Sequence, residues 1–457
     1  MKSRTLAGVT AVGVLAIVVA VAILVRENGS GTAEPTPVVE LRDTPGDLPD
    51  VLAAAEASIR DYWSTGLGEV YGRPFHDLVG GFQPKYPNSR PWTCHGQNLT
   101  YDDIKGNAFY CGGRGDDYIA YDAAYLLPQL NQTFGALAPA VVLAHEMGHA
   151  IQARVGVKAP SVVIELQADC FAGAWVANAQ ASAQDPVAID EPALDSSVRA
   201  ILALRDRPGT PATAPQAHGL AFDRVNAFQT GYEQGPRECA TFPRGNVVTT
   251  ELPFRTLTEL QTGGNIGFGE AVPFFTGHLD AFWSVALRKL AAGATYHRPA
   301  TAHTAASPLP ACSSDPGYDR EAVSGYCLPT NTVVWATLEL EQLHQRIGDM
   351  ATGAVLSDDW ARAAQSQAGL PTSGVVAELQ QVCFTGSWVL SIASATSPVR
   401  LSPGDIDEVL LAVLTPTSPN QTREVKGTSF ERTAALRRGL LGGLSACSTQ
   451  TRRCRGP

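Results

Sequence analysis

The chain has 457 residues, of which 44% are hydrophobic and 17% are charged, and its formal net charge at pH 7 is -10. This length allows two or three domains, each able to bury its own core. The acidic balance, without a cluster of Lys and Arg interleaved with aromatic residues, argues against nucleic acid as a partner. The composition is otherwise that of an ordinary globular protein.

The N-terminus predicts a single membrane-spanning helix. Lys2 and Arg4 precede an unbroken apolar run from Leu6 to Val25. Twenty such residues rise roughly 30 Å as a helix, which is enough to cross a hydrocarbon core. Positive residues before the run favour a cytoplasmic N-terminus. Residues 1–26 are therefore interpreted as a cytoplasmic tip and signal-anchor, with the rest of the chain extracytoplasmic in a bacterial cell envelope.

A cleaved signal peptide is the alternative for the same residues. The apolar run exceeds the usual signal core of about 7–15 residues, and no clean small-x-small cleavage site follows it. Both interpretations place the remainder outside the cytoplasm, where nine cysteines are compatible with disulfides. Residues 27–50 contain four prolines among Gly, Thr and acidic residues, which predicts an extended spacer.

Periodicity and punctuation residues predict mainly helices after the spacer. A helix begins near Val51 and is followed by a loop-rich stretch. The other predicted elements, in chain order, are a short strand at Asp117–Asp122, a helix from about Pro139 to Gly156, a helix capped by Ser161 that runs to about Ala183, and a helix around Phe222–Gln234.

The chain also repeats itself. ELQADCFAGAW at Glu165 to Trp175 returns as ELQQVCFTGSW at Glu378 to Trp388, an offset of 213 residues. Further matched landmarks occur in the same order: Trp63 with Trp283, the Cys94 and Cys111 pair with Cys312 and Cys327, and Arg224, Gly231 and Cys239 with Arg432, Gly439 and Cys447. This pattern predicts a tandem duplication, with a first copy at 51–245, a linker at 246–274 and a second copy at 275–450.

The duplication suggests a disulfide pattern, because cysteines that recur in both copies should pair within each copy. The predicted pairs are Cys94–Cys111, Cys170–Cys239, Cys312–Cys327 and Cys383–Cys447, which leaves Cys454 over. In the alternative interpretation, Cys170 and Cys383 are reduced core residues.

The segment HEMGH at residues 145–149 carries the clearest chemical signal. Residues four apart share one face of a helix, so His145 and His149 can reach one ion while Glu146 lies beside it. Zn²⁺ suits imidazole ligands and leaves a coordination position for water, from which Glu146 would accept a proton. The alternative is a helix whose two histidines make ordinary hydrogen bonds. The apolar AVVLA before the motif disfavours it, because burying these polar groups without partners is costly.

The next predicted helix offers a third ligand, Glu165, and a second carboxylate one turn later, Asp169. At this spacing one carboxylate can bind the metal while the other orients a ligand imidazole through its second nitrogen. Small residues around them, Ala168, Ala172, Gly173 and Ala174, would allow close packing against the HEMGH helix.

HEMGHAIQ, ELQADCFAGAW and HGLAFDR together resemble the bacterial "putative neutral zinc metallopeptidase" family, a zincin of the Glu-ligand type. The similarity covers roughly Trp63 to Cys239. It implies an α+β, mostly α, zincin-like domain with a small sheet, in which the HEMGH histidines and Glu165 bind zinc and Glu146 is the general base. By the same resemblance His218 would hydrogen-bond the transition state and Arg224 would orient the site. The strand at Tyr118–Asp122 resembles the zincin edge strand that binds extended peptide.

The second copy departs from this pattern. The positions that match HEMGH read DDWAR, from Asp358 to Arg362, and Val382 stands where the first copy has Asp169. Glu378 is retained, but no histidine stands six residues before Arg432. The second copy is therefore predicted to be catalytically inactive. It could stabilise the first copy, cap its cleft or bind an unknown partner.

The sequence thus predicts a membrane-anchored zinc metallopeptidase that hydrolyses peptide bonds in peptide or protein substrates through zinc-activated water. One alternative is a non-catalytic envelope protein that uses the zincin scaffold for binding. Another is a metallohydrolase that acts on a non-peptide amide.

Overall fold

A computed structural model describes residues 48–447 apart from 114, 183–186, 188, 212–216, 251 and 395–399. The predicted membrane helix, most of the spacer and Cys454 lie outside the described residues. The fold is α+β and mostly helical, with small sheets. The described residues divide into two compact units, the first within 48–206, 217–219 and 223–248, the second within 207–211, 220–222 and 249–447.

The first unit begins with a long helix and continues through short strands into a group of helices. Its elements are α1 (Leu48–Tyr71), β1 (Gly81–Lys85), β2 (Trp92–Cys94), β3 (Gln97–Leu99), α2 (Tyr101–Ile104), β4 (Ala108–Gly113), β5 (Asp116–Asp122), α3 (Leu126–Phe134), α4 (Leu137–Val155), α5 (Ser161–Ala181), α6 (Glu191–Ala203), α7 (Ala221–Gln234), α8 (Pro236–Cys239) and a 3-10 turn (Phe242–Arg244). Helix α1 therefore begins three residues inside the predicted spacer.

The sheet of the first unit has the strand order β1-β5-β4. Strand β1 is parallel to β5, with Gly81 opposite Tyr118, and β4 is antiparallel to it, with Ala108 opposite Tyr121. The predicted edge strand, β5, is thus the central strand, which is consistent with its buried segment from Tyr118 to Asp122. The expectation that β5 binds peptide backbone is wrong, because both of its edges are already paired. Strand β4 is one of the two edge strands of this sheet.

Helices α4 and α5 carry the residues of the HEMGH and ELQAD segments, and both are largely buried. Helix α4 ends at Gly156, whose φ of 73° is the left-handed conformation typical of a C-terminal glycine. Helix α5 begins one residue earlier than the predicted cap requires, because Pro160 has extended backbone and Ser161 is already helical. The Ser161 hydroxyl instead donates to Ala217 O at 3.4 Å.

The second unit has the same kinds of element in a similar order. They are α9 (Leu257–Thr262), α10 (Phe268–Leu290), β6 (Ala300–Thr304), β7 (Ser324–Cys327), a 3-10 turn (Leu328–Thr330), β8 (Thr332–Ala336), α11 (Thr337–Ile347), α12 (Asp349–Ala368), α13 (Val375–Ala393), α14 (Asp405–Leu414), α15 (Arg423–Lys426) and α16 (Ser429–Ala446). The predicted linker at 246–274 therefore contains α9 and the start of α10. The sheet order is β6-β8-β7, with one parallel and one antiparallel pair.

One described helix, α13, is long and apolar enough to cross a membrane, but 72% of its apolar window is buried inside the protein. A core helix has the same composition, so this feature by itself assigns no membrane segment.

Four disulfides stabilise the two units, two in each. They join Cys94 to Cys111, Cys170 to Cys239, Cys312 to Cys327, and Cys383 to Cys447. All four predicted pairs are confirmed, and the interpretation of Cys170 and Cys383 as reduced core residues is wrong.

Candidate metal centre

Two helices of the first unit bring three side chains with metal-binding atoms together. His145 and His149 lie one turn apart on α4, and their Nε2 atoms are 3.1 Å from each other. Glu165 on α5 places Oε2 at 3.2 Å from His145 Nε2 and Oε1 at 3.5 Å from His149 Nε2. The three side chains thus converge on a single point.

Close packing of the two helices makes this convergence possible. Gly148, within the HEMGH segment, lies directly against Ala168 of α5, and a Cβ atom added to Gly148 would be 2.9 Å from Ala168 Cα. The small residues predicted to permit this approach, Ala168, Ala172, Gly173 and Ala174, are buried. A larger side chain at either position would separate the ligands on α4 from the carboxylate on α5.

The donor set fits zinc. Tetrahedral zinc bonded to nitrogen and oxygen at about 2.0–2.1 Å has neighbouring ligand atoms about 3.3 Å apart. The two imidazole nitrogens are 3.1 Å apart, and the nearest Glu165 oxygens are 3.2 and 3.5 Å from them, which is close to that spacing. Two imidazoles and one carboxylate are also a ligand set typical of catalytic zinc, with one coordination position left for water or substrate.

A buried ion pair supports the first histidine from behind. His145 Nδ1 is 2.8 Å from Asp169 Oδ1, so its Nε2 is the nitrogen that faces Glu165. Arg224 donates to both oxygens of Asp169, from Nε and Nη2, at 2.8 Å each, and its Nη1 donates to Leu204 O. Because Asp169 and Arg224 are both almost fully buried, this pair holds the imidazole ring in a fixed orientation.

The second histidine has its own support, which the sequence did not predict. His149 Nδ1 is 2.9 Å from Gln152 Oε1. The Gln152 amide donates to Ile164 O and to Gln167 Oε1, and Gln167 in turn donates to Cys239 O. A glutamine three residues after a ligand histidine could have been singled out, because the two share a helix face.

The local electrostatics favour a cation between these groups. Burial alone would lower the pKa of His145, but the carboxylates of Asp169 and Glu165 raise it to about 10. The pKa of His149 is also raised despite its burial, chiefly by Glu165. Burial would raise the pKa of Glu165, but the two histidines hold it well below its usual range. In the absence of metal, the site therefore retains protons.

Glu146 lies beside the ligands and is held by the sheet. Its Oε2 accepts a hydrogen bond of 2.9 Å from the Tyr110 amide of β4. The N–H of Tyr110 points away from β5 and reaches Glu146 instead of the neighbouring strand. The backbone amide of an edge strand carries no side-chain signature, so sequence reasoning could not have identified this contact.

A cavity of about 410 Å³ opens over the ligands, and Glu146, Glu165 and Asn107 are among its lining residues. His218 lies on the same wall, with 47% of its side chain exposed and its Nδ1 3.6 Å from Asp206 Oδ1. Asp206 also accepts hydrogen bonds from the backbone amides of His218 and Gly219. The structure thus places His218 at the cavity, although the sequence did not point to Asp206.

The second unit has a smaller polar cavity, of about 130 Å³, at the corresponding elements α12, α13 and α15. Lys426, six residues before Arg432, donates to Glu378 Oε2 and to Asp358 Oδ2, the latter at 3.4 Å. Arg362 points elsewhere and donates to Asp315, Tyr326 O and Thr372 O. Aligning KGTSFER with HGLAFDR would have identified Lys426, which occupies the position of His218.

Comparison with known proteins agrees with the resemblance seen in the sequence. Residues 100–242 match the model of a family described as "Putative neutral zinc metallopeptidase". The matched segment contains every first-unit residue discussed above as a metal ligand, base or supporting group.

Relatives were found in two groups of bacteria. The uncharacterized protein YpfJ of Escherichia coli K12 is 28% identical over 261 residues, which cover 50% of this chain and 85% of that protein. The uncharacterized protein Rv2575 of Mycobacterium tuberculosis is 32% identical over 159 residues, or 29% of this chain. The match covers 54% of that protein, so the chain spans about half the length of this relative. No solved structure matches the chain.

Proposed function

We propose that the first unit, in which residues 100–242 match the neutral zinc metallopeptidase model, is a zinc-dependent peptidase. The observation that carries this proposal is the convergence of His145, His149 and Glu165, at separations that suit zinc, with Glu146 beside them in an open cavity. Bound zinc supplies a Lewis acid that polarises a carbonyl and lowers the pKa of water.

Glu146 is the general base of this proposal. The amide of Tyr110 holds one of its oxygens at 2.9 Å, which fixes the carboxylate at the cavity floor beside the two histidines. A carboxylate in this position can accept the proton of an attacking water and pass it to the leaving amine.

The substrate would bind along β4, the edge strand next to Glu146. Residues 106–110, at and before the start of this strand, line the cavity, and β4 is paired on one side with β5. An extended peptide can pair with such an edge through its main chain, so that β4 takes the role expected from the sequence for β5. The substrate class is therefore an extended segment of peptide or protein.

His218 would donate a hydrogen bond to the oxygen that becomes negative during the reaction. It lies on the cavity wall, where its Nδ1 is 3.6 Å from Asp206 Oδ1. Donors that face a developing oxyanion stabilise the transition state more than the ground state.

We further propose that the second unit is a duplicated, inactive copy. Both sheets have the same order of parallel and antiparallel pairs. Gln365 reproduces the contacts of Gln152, because it donates to Ala377 O and Gln380 Oε1. A Cβ atom on Gly231 would be 1.7 Å from Cys170 O, and on Gly439 it would be 1.8 Å from Cys383 O. The same helix crossing thus recurs in each unit.

The N-terminal run from Leu6 to Val25 supports a single-pass anchor, with both units outside the cytoplasm. Four disulfides fit an oxidising compartment. The mass of the mature protein shows whether the N-terminal residues remain, and so distinguishes this anchor from a cleaved signal.

The proposed activity is tested with the full chain, its Glu146→Gln variant and a matched control, Asp359→Asn, at the corresponding position of the second unit. We expect one zinc per chain in all three, and casein hydrolysis that falls at least about 100-fold in Glu146→Gln alone. Bound zinc without hydrolysis of casein or peptide libraries by the parent would instead favour the non-catalytic binding protein. Hydrolysis of small non-peptide amides alone would favour the other alternative.

A further inference from the structure

Three carboxylates of the second unit meet in its interior, away from the elements that carry Lys426. Asp349 is the first residue of α12, and Asp405 and Glu408 lie in the first turn of α14. Each is at most 7% exposed, and each offers an oxygen within 4.8 Å of the other two. In the described part of the chain, no Lys or Arg forms an ion pair with any of them.

One oxygen of this cluster has no hydrogen-bond donor. Asp349 Oδ2 accepts from the Ile266 amide at 2.9 Å, whereas Asp349 Oδ1 is buried without a partner. Leaving a charged oxygen buried and unpaired is among the costlier arrangements in a protein interior. Asp349 therefore brings to the cluster a buried carboxylate oxygen that no hydrogen bond satisfies.

The other two carboxylates accept hydrogen bonds from backbone amides and from the neutral side chains of Asn265 and Ser402. Glu408 Oε2 accepts from the Met350 amide at 3.0 Å. Asp405 accepts from the amide and the hydroxyl of Ser402, at 2.7 and 2.8 Å. Burial and the nearby carboxylates raise the pKa of Glu408 well above its usual range, which reflects the cost of holding these charges together.

We propose that Asp349, Asp405 and Glu408 bind a hard divalent cation of the calcium class. The available ligands are carboxylate oxygens, which calcium and magnesium prefer, whereas zinc favours nitrogen and sulfur. Calcium binds oxygen at about 2.3–2.6 Å, so oxygens around one ion lie up to about 5 Å apart, and the cluster fits within this limit.

Hydrogen bonds already tie the loop before α10 to the segments that carry the cluster. Asn265 Oδ1 accepts from the Asp349 amide at 2.6 Å, and Gly264 O accepts from the Ser402 hydroxyl at 3.1 Å. A cation here would join the start of α12, the start of α14 and the loop that precedes α10. Its role would be structural, because it ties three segments of the second unit that are distant in sequence.

The test uses the full chain, stripped with a chelator and then equilibrated with zinc and calcium. We expect one calcium per chain by atomic emission after gel filtration. Calcium should also raise the midpoint of thermal unfolding by several degrees, since it binds the folded state alone. Glu408→Gln and Asp349→Asn should each lose the bound calcium and the thermal shift. The matched control, Glu165→Gln, should lose zinc and keep calcium.

Binding of magnesium or manganese with the same dependence on Glu408 and Asp349 would also support the site. The proposal is overturned if none of these cations binds or shifts the unfolding midpoint. It is equally overturned if Glu408→Gln and Asp349→Asn retain the parent's response. If the parent shows no response to any cation and Glu408→Gln is more stable than the parent, the cluster is neutralised by protons and the proposal is overturned. Asp349→Asn keeps the oxygen that accepts from Ile266, so it serves if Glu408→Gln fails to fold.

Discussion

In the first unit Glu165 faces two imidazoles, whereas in the second unit Glu378, at the matching position, faces the ammonium group of Lys426. Both carboxylates lie on the helix that follows the HEMGH segment or its counterpart, Asp358 to Arg362, and both line a cavity. The histidine positions of the second unit hold Asp358 and Arg362 instead. One of these pairs with Lys426 and the other with Asp315.

If the second unit is an inactive copy, as proposed above, the comparison explains how it keeps an internal charge. A buried carboxylate needs a cation nearby, and removing that cation is strongly destabilising. In the proposed peptidase the cation would be zinc, with an open position for chemistry. In the second unit the ammonium group of Lys426 supplies the positive charge, so this site needs no bound metal. Glu378 is retained in this account for stability.

The largest expected effect is on the stability of the second unit. Lys426→Met leaves Glu378 and Asp358 without their cation, so we expect the free energy of unfolding to fall by about 3–5 kcal/mol. The double variant Lys426→Met/Glu378→Gln should recover part of this loss. Chemical denaturation measures both. As a control, Arg298→Met removes an ion pair whose arginine is 66% exposed, and it should cost less than about 1 kcal/mol. Equal losses in the two single variants would contradict the account.

The next effect concerns His218, whose counterpart in the second unit is Lys426. Replacing a donor that faces a developing oxyanion costs about 100- to 1000-fold in kcat. We expect this loss in His218→Asn, with zinc content and KM close to those of the parent. His76→Asn, at an exposed loop histidine, is the control and should leave kcat unchanged. A normal kcat in His218→Asn would remove His218 from the proposed mechanism.

A smaller effect is expected from Asp169, which has an apolar counterpart, Val382, in the second unit. Asp169→Asn weakens the contact that orients His145, so zinc affinity should fall by about 10- to 100-fold. Competition with a fluorescent zinc chelator measures the change. Asp206→Asn changes the carboxylate next to His218 on the cavity wall, and it should leave zinc affinity unaffected. If Asp169→Asn bound zinc as tightly as the parent, Asp169 would have no role in orienting the ligand.

The smallest effect is the response of zinc binding to pH. In the metal-free protein the pKa of His145 is raised to about 10, so below that pH zinc must displace a proton from the ring. Apparent zinc affinity should therefore fall by at least about tenfold for each unit by which the pH is lowered from 8 to 6. Asp169→Asn should show a shallower dependence near pH 8, because it removes a carboxylate that raises this pKa. A flat profile in the parent would contradict the charge distribution described here.

Much of the site could be predicted because helices α4 and α5 carry their ligands at local, regular spacings. His145 and His149 share a face by helix geometry, and the four disulfides followed from matched cysteines. Strand order depends on long-range pairing, which is why β5 was expected at the edge and lies at the centre. Contacts through the main chain, such as Tyr110 with Glu146, leave no trace in residue identity.

Zinc content in the parent, Glu165→Gln and Glu378→Gln tests the central claim most directly, because the two variants make the same change at matching positions. The account predicts one zinc per chain in the parent and in Glu378→Gln, and none in Glu165→Gln. Two zinc ions in the parent, or loss of zinc from Glu378→Gln with retention in Glu165→Gln, would contradict it.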